Sequence, residues 1–291
     1  MRHRPYEPWL YMSPALFFLS VFMILPILIL LLLSFYEWDI FAGNGRFIGI
    51  SNYINMIADT GFHNSIRNTL IYAAGTIIPG IAAALFLAVL VNKKLIGSSF
   101  YRTAIFLPVI VSLAAAGTIW LWIYDYQNGF LNFIISKFGL SKVDWLGNPD
   151  MALFSIIIVT LWKRIGYNMV IYIAGLQLIP QQEYEAAQID GADSVAQFRY
   201  ITWPNLLPAT TFIFIINIIY SFRDFTQIYV MTQGGPIGRT TTVVYYIYET
   251  AFQDFKIGYA AAVSMLLLLV VLAVTYVKIN YFSPEEEKGI L

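Results

Sequence analysis

WLYMSPALFFLSVFMILPILILLLLSFY, residues 9–36, contains no Asp, Glu, Lys, Arg or His. A helix rises about 1.5 Å per residue, so about 20 apolar residues cross the hydrocarbon of a bilayer. This run is longer than that. It also exceeds the apolar core of about 7–15 residues in a signal peptide, and no small-residue cleavage site follows it. It reads as a retained first transmembrane helix.

The same test applied outward finds three more uncharged stretches of sufficient length, at 68–91, 103–124 and 257–277. Two further stretches carry internal charges: 151–176 holds Lys163-Arg164, and 207–230 holds Arg223-Asp224. Their length and flanks read as full spans, against the alternative of shorter buried or re-entrant segments. Composition agrees: 59% of the 291 residues are hydrophobic and only 12% are charged. A soluble domain carries about a quarter charged residues to coat its surface. The expected fold is therefore all-α, a polytopic membrane protein with six transmembrane helices in one domain over 1–291.

Six spans put both ends on one side. Arg2, Arg4, Lys93, Lys94 and Arg102 crowd the N-terminal end and the short second loop. Lys and Arg concentrate on cytoplasmic loops, so both termini are expected inside. Segments 37–67, 125–150 and 231–256 then face out, and 92–102 and 177–206 face in. Trp9, Trp38, Trp122 and Trp145 lie near proposed boundaries, as interfacial aromatics do. The acidic Glu285-Glu286-Glu287 reads as a solvated end.

Several chemistries are excluded. Net charge is zero, which gives no nucleic-acid reading. Cysteine is absent, and His3 and His63 alone make no zinc site. No G-x-x-x-x-G-K-[ST] loop is present to cradle nucleotide phosphates, and no G-x-S-x-G elbow marks a hydrolase. The chain is expected to be non-catalytic and to bind no cofactor or metal.

The inner loop with its flanks, GLQLIPQQEYEAAQIDGADSVAQFRYITWPNLLPA, spans 175–209. It reads as two short helices joined at a glycine. Pro180 opens the first, with Glu183 and Glu185 near its positive dipole end. Gly191 suits the helix end, because it accepts positive φ. Asp193 or Ser194 caps the next helix. That helix is expected to end near Pro204, with Pro208 marking the following span. The physics alone leaves two uses open: a rigid knob for a partner, or an amphipathic helix on the membrane surface.

Glu185-Ala186-Ala187, then Gly191 and the adjacent Ala192, then Ile201 and Pro204, resembles the EAA motif of binding-protein-dependent ABC importer permeases. That pattern usually ends Ile-x-Leu-Pro; here Trp203 stands before Pro204. FIGISNYINMI (47–57), YRTAIFLPVI (101–110), YVMTQGGP (229–236), TTTVVYYIYETAF (240–252) and GYAAAVSMLL (258–267) are similar to sugar permeases of the maltose and glycerol-phosphate type. The resemblance covers nearly the whole chain. It implies a subunit of a bacterial or archaeal cell membrane, paired with a second homologous permease. It further implies two ATPase subunits, which carry ATP and Mg, and an external solute-binding protein. Glu185 to Gly191 would form the coupling helix that docks into the ATPase.

Charges within spans face cavities or partners, because each costs about 2.5–3.5 kcal/mol at the bilayer centre. Arg223 and Asp224 either pair with other helices or meet the solute. By the resemblance, Arg164, Tyr167, Arg223 and Thr226 line the translocation path, with Asn168 offering a further polar group. Two arginines also suit an anionic solute such as sn-glycerol 3-phosphate. A rival class is the ion-coupled secondary transporter, which often carries inverted repeats that this chain lacks. A membrane scaffold is a third, and it would not need buried charges.

Overall fold

The computed structural model describes residues 7–38, 44–92 and 97–282. Arg2, Arg4, Lys93, Lys94, His3 and the acidic tail lie outside the described residues. In chain order the elements begin with α1 (Glu7–Leu19), a π turn at Ser20–Ile24 and α2 (Leu25–Leu33). A small hairpin follows, β1 (Tyr36–Trp38) and β2 (Gly45–Phe47). Its antiparallel register pairs Tyr36 with Phe47 and Trp38 with Gly45. Next come α3 (Ser51–Ala58), α4 (Thr60–Asn92), α5 (Ser98–Ile110), α6 (Leu113–Ile123), α7 (Phe130–Lys137) and α8 (Ala152–Gln177). The chain continues through α9 (Gln181–Ile189), α10 (Ser194–Gln197), a π segment at Phe198–Thr202, α11 (Trp203–Arg223) and α12 (Thr226–Met231). It closes with α13 (Val243–Tyr248), a π segment at Glu249–Gln253 and α14 (Ile257–Phe282).

Five helical stretches are long and apolar enough to cross a membrane: Tyr11–Leu33, Thr60–Asn92, Ala152–Gln177, Ser194–Arg223 and Ile257–Tyr276. A sixth is the pair Ser99–Ile110 and Leu113–Ile123, bent by 101°. The sequence reads 103–124 as one uninterrupted helix; the structure breaks it at Val111. Val111 is extended, and Ser112 caps α6 by accepting from the amide of Ala115 at 3.2 Å. The segment 207–230 is also interrupted, because α11 stops at Arg223 and α12 restarts at Thr226.

The second helix of the 177–206 segment does not end near Pro204. It runs on through the π segment into α11 as one stretch, Ser194–Arg223. Proline lacks an amide and clashes with the carbonyl four residues back. The π segment absorbs this, since Trp203 N bonds to Phe198 O rather than to the usual i−4 partner.

The described contacts gather in two compact units: 1–62 with 246–270, and 63–245 with 271–291. In the first unit, Asn52 Nδ2 donates to Ser34 O at 2.9 Å and to Tyr36 O at 3.0 Å. Tyr53 donates to Ser34 Oγ at 2.8 Å, so α3 is tied to the end of α2. Gly258 must be glycine here, because an added Cβ would stand 1.8 Å from Tyr36 O. Asp59 is the hub. Its Oδ1 accepts from the amides of Gly61 at 2.8 Å and Phe62 at 3.2 Å, capping α4. Its Oδ2 accepts the hydroxyls of Tyr246 and Tyr259.

The second unit packs α4, α8 and α11 around Ala84, Ala88, Met169, Tyr172, Leu206 and Ile213, all fully buried. The alanines let the helices approach closely. Asn68 Nδ2 holds the carbonyls of Gly238 and Thr241 at 2.9 and 3.0 Å, and Thr69 Oγ1 accepts from Val243 N at 2.9 Å. These bonds anchor the 232–242 loop and the start of α13 on α4.

Burial of Asp59 alone would push its carboxyl pKa up. The Tyr246 and Tyr259 hydroxyls and the Phe62 and Gly61 amides outweigh that and hold it below its ordinary 3.8. A depressed carboxylate stabilises the fold above its unfolded pKa, and that contribution is lost as pH falls through the folded value. Asp59→Asn is therefore expected to lower the unfolding midpoint at neutral pH. It should also flatten the acid loss of stability expected of the native chain as pH falls below 3.8. Identical midpoints and identical acid limbs would refute the hub.

Candidate functional site

Two features of the second unit carry functional chemistry. The first is α8, where Lys163 and Arg164 are adjacent cations in an otherwise uncharged helix. Lys163 is 9% exposed. Its Nζ donates to Pro108 O at 2.9 Å and Val109 O at 3.0 Å, and also to Val111 O. These carbonyls close α5 at the 101° break. A helix end leaves four carbonyls without partners, and lipid offers none. Lys163 supplies three donors and a charge matched to the negative helix end. Gly166 makes the reach possible, because a Cβ there would lie 2.3 Å from Ile105 O.

Arg164 points to the other break. Its Nη2 meets Asp224 Oδ2 at 2.5 Å, and its guanidinium lies 5.4 Å from the Tyr220 ring centroid. The Tyr72 hydroxyl, fully buried, donates to the same carboxylate oxygen at 2.5 Å. Thr160 Oγ1 lies 2.9 Å from the Tyr72 hydroxyl and donates to Gln227 Oε1 at 2.6 Å. Residues from α4, α8, the α11–α12 break and α12 thus form one polar cluster. Arg164 Nη1 and Gln227 Nε2 are buried donors with no acceptor among the described residues.

Of the four expected path residues, Arg164 belongs to this cluster. Thr226, half-buried, opens α12 two residues beyond Asp224. Tyr167 lies one turn along α8 and is 37% exposed, and Arg223 is exposed at the end of α11. Asp224 takes the ion-pair alternative left open by the sequence. Asn168 is buried and accepts from Asn217 Nδ2 at 3.1 Å, so it joins two helices. Sequence reasoning missed Tyr72, Thr160 and Gln227. Their only signal was a polar residue inside an apolar span.

The second feature is the loop after α8. Pro180 opens α9, and Glu183 lies in its first turn. Glu185 is exposed and accepts from Gln181 Nε2 at 2.8 Å. Ala186 is exposed, and Ala187 half-buried. Gly191 has φ +81°. Gly191 N bonds to Gln188 O at 3.1 Å, and Ala192 N bonds to Ala187 O at 2.8 Å. That pair of bonds is a Schellman end, which requires the left-handed residue at Gly191. Asp193 caps α10 through Ala196 N at 2.7 Å. Two bonds brace α9 against the next helix: Tyr184 Oη with Thr202 Oγ1 at 2.9 Å, and Asn205 Nδ2 to Glu183 Oε2 at 3.2 Å. Tyr184 and Ile201 also pack on the buried core. Pro204 is exposed near the start of α11.

Residues 80–283 match the family described as binding-protein-dependent transport system inner membrane component. The chain belongs to that family. It is an ABC importer permease subunit. It is 33% identical over 283 residues to a permease protein of the sn-glycerol-3-phosphate transport system of Agrobacterium fabrum, covering 97% of this chain and 96% of that one. It is 34% identical over 285 residues to the arabinooligosaccharide transport system permease protein of Bacillus subtilis, covering 97% and 90%. A bacterial alginate ABC transporter, solved with an alginate pentasaccharide-bound periplasmic protein, contains a chain with the same fold. There the TM-score is 0.82 at 21% identity, over 94% of each chain.

In this permease, removing one member of the buried pair leaves the other charge unpaired, which costs about 3–5 kcal/mol. Arg164→Met is expected to destabilise by that order, and Arg164→Met with Asp224→Leu to recover most of it. Lys163→Met should cost about 1–3 kcal/mol by orphaning the carbonyls at the α5 end. Unfolding in mixed micelles checks all three. Additive effects of the Arg164 and Asp224 changes would show that the pair is not coupled.

Proposed function

We propose that this permease imports a carbohydrate, sharing the passage with a second homologous permease. ATP and Mg bind to two separate ATPase subunits, and an external solute-binding protein delivers the solute. This chain itself hydrolyses nothing. The observation that carries the coupling role is the braced α9–Gly191–α10 knob. Ala186 and Ala187 are small, and Ala186 is exposed, so another subunit can approach the α9 backbone closely there. Glu185 offers a carboxylate for a charge-assisted bond. The knob continues without a loop into α11, so a push on α9 reaches the α11–α12 break and the Arg164–Asp224 pair.

The arabinooligosaccharide relative and the alginate importer support carbohydrate as the solute class. A second reading, an anionic polyol such as sn-glycerol 3-phosphate, is favoured by Arg164 Nη1 and exposed Arg223 and by the glycerol-phosphate relative. Arg164, Tyr167, Arg223 and Thr226 are the proposed path residues. Both termini are placed in the cytoplasm of a bacterial or archaeal cell, on the basic density of the N-terminal end and second loop.

Two experiments test these assignments. An added Cβ at Gly191 meets nothing within 4 Å, so substitution acts through the backbone alone. Gly191→Val should cost about 1–2 kcal/mol in the left-handed conformation, whereas asparagine tolerates it. ATPase copurification and uptake should drop severalfold in Gly191→Val and stay near native in Gly191→Asn. Full ATPase association and uptake in the valine variant would remove the coupling role. Orientation is read on the natural cysteine-free background. Ser141→Cys should react with an impermeant thiol reagent in intact cells, and Gln188→Cys only after lysis. The reverse pattern would invert the topology.

A further inference from the structure

Between α6 and α8 the chain folds into a small platform built on one side chain. Asn132, in the middle of α7, is fully buried. Its Nδ2 donates to Val143 O at 2.9 Å and to Tyr126 O at 3.2 Å, and its Oδ1 accepts from Val143 N at 3.0 Å. Both ends of the platform are fastened to span ends. At one, Asp125 Oδ1 accepts from Gln127 N at 3.1 Å and Asn128 N at 2.7 Å, and Gly129 N bonds to Asp125 O at 3.0 Å. The link from α6 to α7 is therefore a closed turn. At the other, Trp145 stacks on Tyr124 with ring centroids 5.5 Å apart, and Ser155 Oγ, in the first turn of α8, donates to Trp145 O at 2.7 Å. α7 is thereby held close to where α6 ends and α8 begins.

With Asn132 turned inward, the opposite stripe of α7 faces away from the fold. It carries Phe130, Phe133 and Lys137, the i, i+3, i+7 spacing of one helix face. Lys137 Nζ lies 5.3 Å from the Phe133 ring centroid. The two phenyls, and Phe138 and Leu140 beyond the helix, are between 59% and 79% exposed. Gly139, at φ +73°, ends the helix: its amide bonds to Ser136 O at 3.1 Å, and Leu140 N bonds to Ile135 O at 3.2 Å. That turn fixes the second apolar pair. Four large apolar side chains displayed together mark a surface that something covers.

We infer that α7 is an interfacial helix: its phenyl stripe rests in lipid at the membrane boundary, and Lys137 reaches the headgroup phosphates. The inference does not depend on which solute is carried. Two observations select lipid over a protein partner. The first is the depth of the stripe. The platform is fastened to the ends of two spans, the level at which aromatic side chains settle. Trp122, in the last turn of α6, is 79% exposed and marks that level on the span itself. The second is the lysine. Lysine is depleted at the core of protein interfaces, yet Lys137 shares the stripe with the phenyls. A long apolar stem lets the helix face sink into the acyl boundary while the ammonium stays among the phosphates.

The test uses the complete transporter in lipid nanodiscs, with the cysteines of its partner subunits replaced; this chain has none of its own. A single spin label is attached at Phe133→Cys and, in a separate sample, at Lys137→Cys. Collisions are measured with oxygen, which concentrates in lipid, and with a neutral nickel chelate, which stays in water. A label on the surface of the free solute-binding protein gives the aqueous standard. Nickel collisions should fall at least fivefold below that standard at 133 and at least twofold at 137, while oxygen collisions at 133 exceed it. ATPase copurification shows that each variant assembles; if Phe133→Cys does not, the label at 137 decides alone. Nickel collisions at the aqueous level place the stripe in water and overturn the inference. Low collision rates with both reagents place it against protein and overturn it as well. So does a label that becomes immobile only when the solute-binding protein is added.

Discussion

Lys163 and Arg164 are consecutive charges in the middle of α8, where Lys163 is 9% exposed and the Arg164 side chain 17%. Each must be neutralised inside the protein, or the helix cannot be inserted at acceptable cost. Consecutive residues on a helix point about 100° apart, so one partner cannot serve both. The chain provides two partners of different kinds. Lys163 takes the carbonyls that α5 leaves exposed where it breaks. Arg164 takes the carboxylate that lies where α11 breaks. Each break would be forbidden in lipid without its cation, and each cation would be forbidden without its break. A single dipeptide on α8 therefore accounts for two interruptions in two other spans.

Close approach is what lets these short-range bonds form. Gly166 brings α5 to within contact of the α8 backbone, one turn from Lys163. Gly75 does the same for Ile157, whose Cδ1 would lie 2.8 Å from an added Cβ. In the other unit Gly258 admits the carbonyl of Tyr36. In a membrane, helix association gains little from hydrophobic burial, since lipid is equally apolar, and rests on close packing and on polar bonds between helices. The Asn168–Asn217 bond is of that second kind, and the Tyr72–Asp224 bond ties α4 to the α11–α12 break.

Much of this architecture was legible in the sequence, because long uncharged runs have one physical explanation. The Schellman end at Gly191 and the cap at Asp193 were legible too, since few residues satisfy those backbone demands. The break at Val111 was not. Pro108 and Ser112 are the local signals for a stop and a restart, but they sit inside an unbroken apolar run, and apolarity alone does not distinguish a straight span from a bent one. What decides the matter is Lys163, about 50 residues away. Pro204 misled in the opposite direction. A proline usually ends a helix, and only the π register, set over five preceding residues, lets this one continue. The hub at Asp59 was invisible for the same reason as the Tyr72 cluster: it joins residues 187 and 200 positions apart.

The continuity of α10, the π segment and α11 bears on how a signal would travel. A flexible loop between α9 and α11 would absorb motion as changes in φ and ψ. Here the chain is hydrogen-bonded helix from Ser194 to Arg223. α9 is clamped to it by Tyr184–Thr202 and Asn205–Glu183. Displacement at the knob therefore cannot be spent locally, and the first non-helical residues it meets are Asp224 and Phe225. Asp224 is the residue that Arg164 and Tyr72 both hold. Movement of α11 must either carry this cluster with it or part the ion pair, and parting it leaves two largely buried charges unpaired, which is costly. A pair so placed favours two discrete arrangements over a continuum, which is what an importer needs if its passage is never to be open to both sides at once.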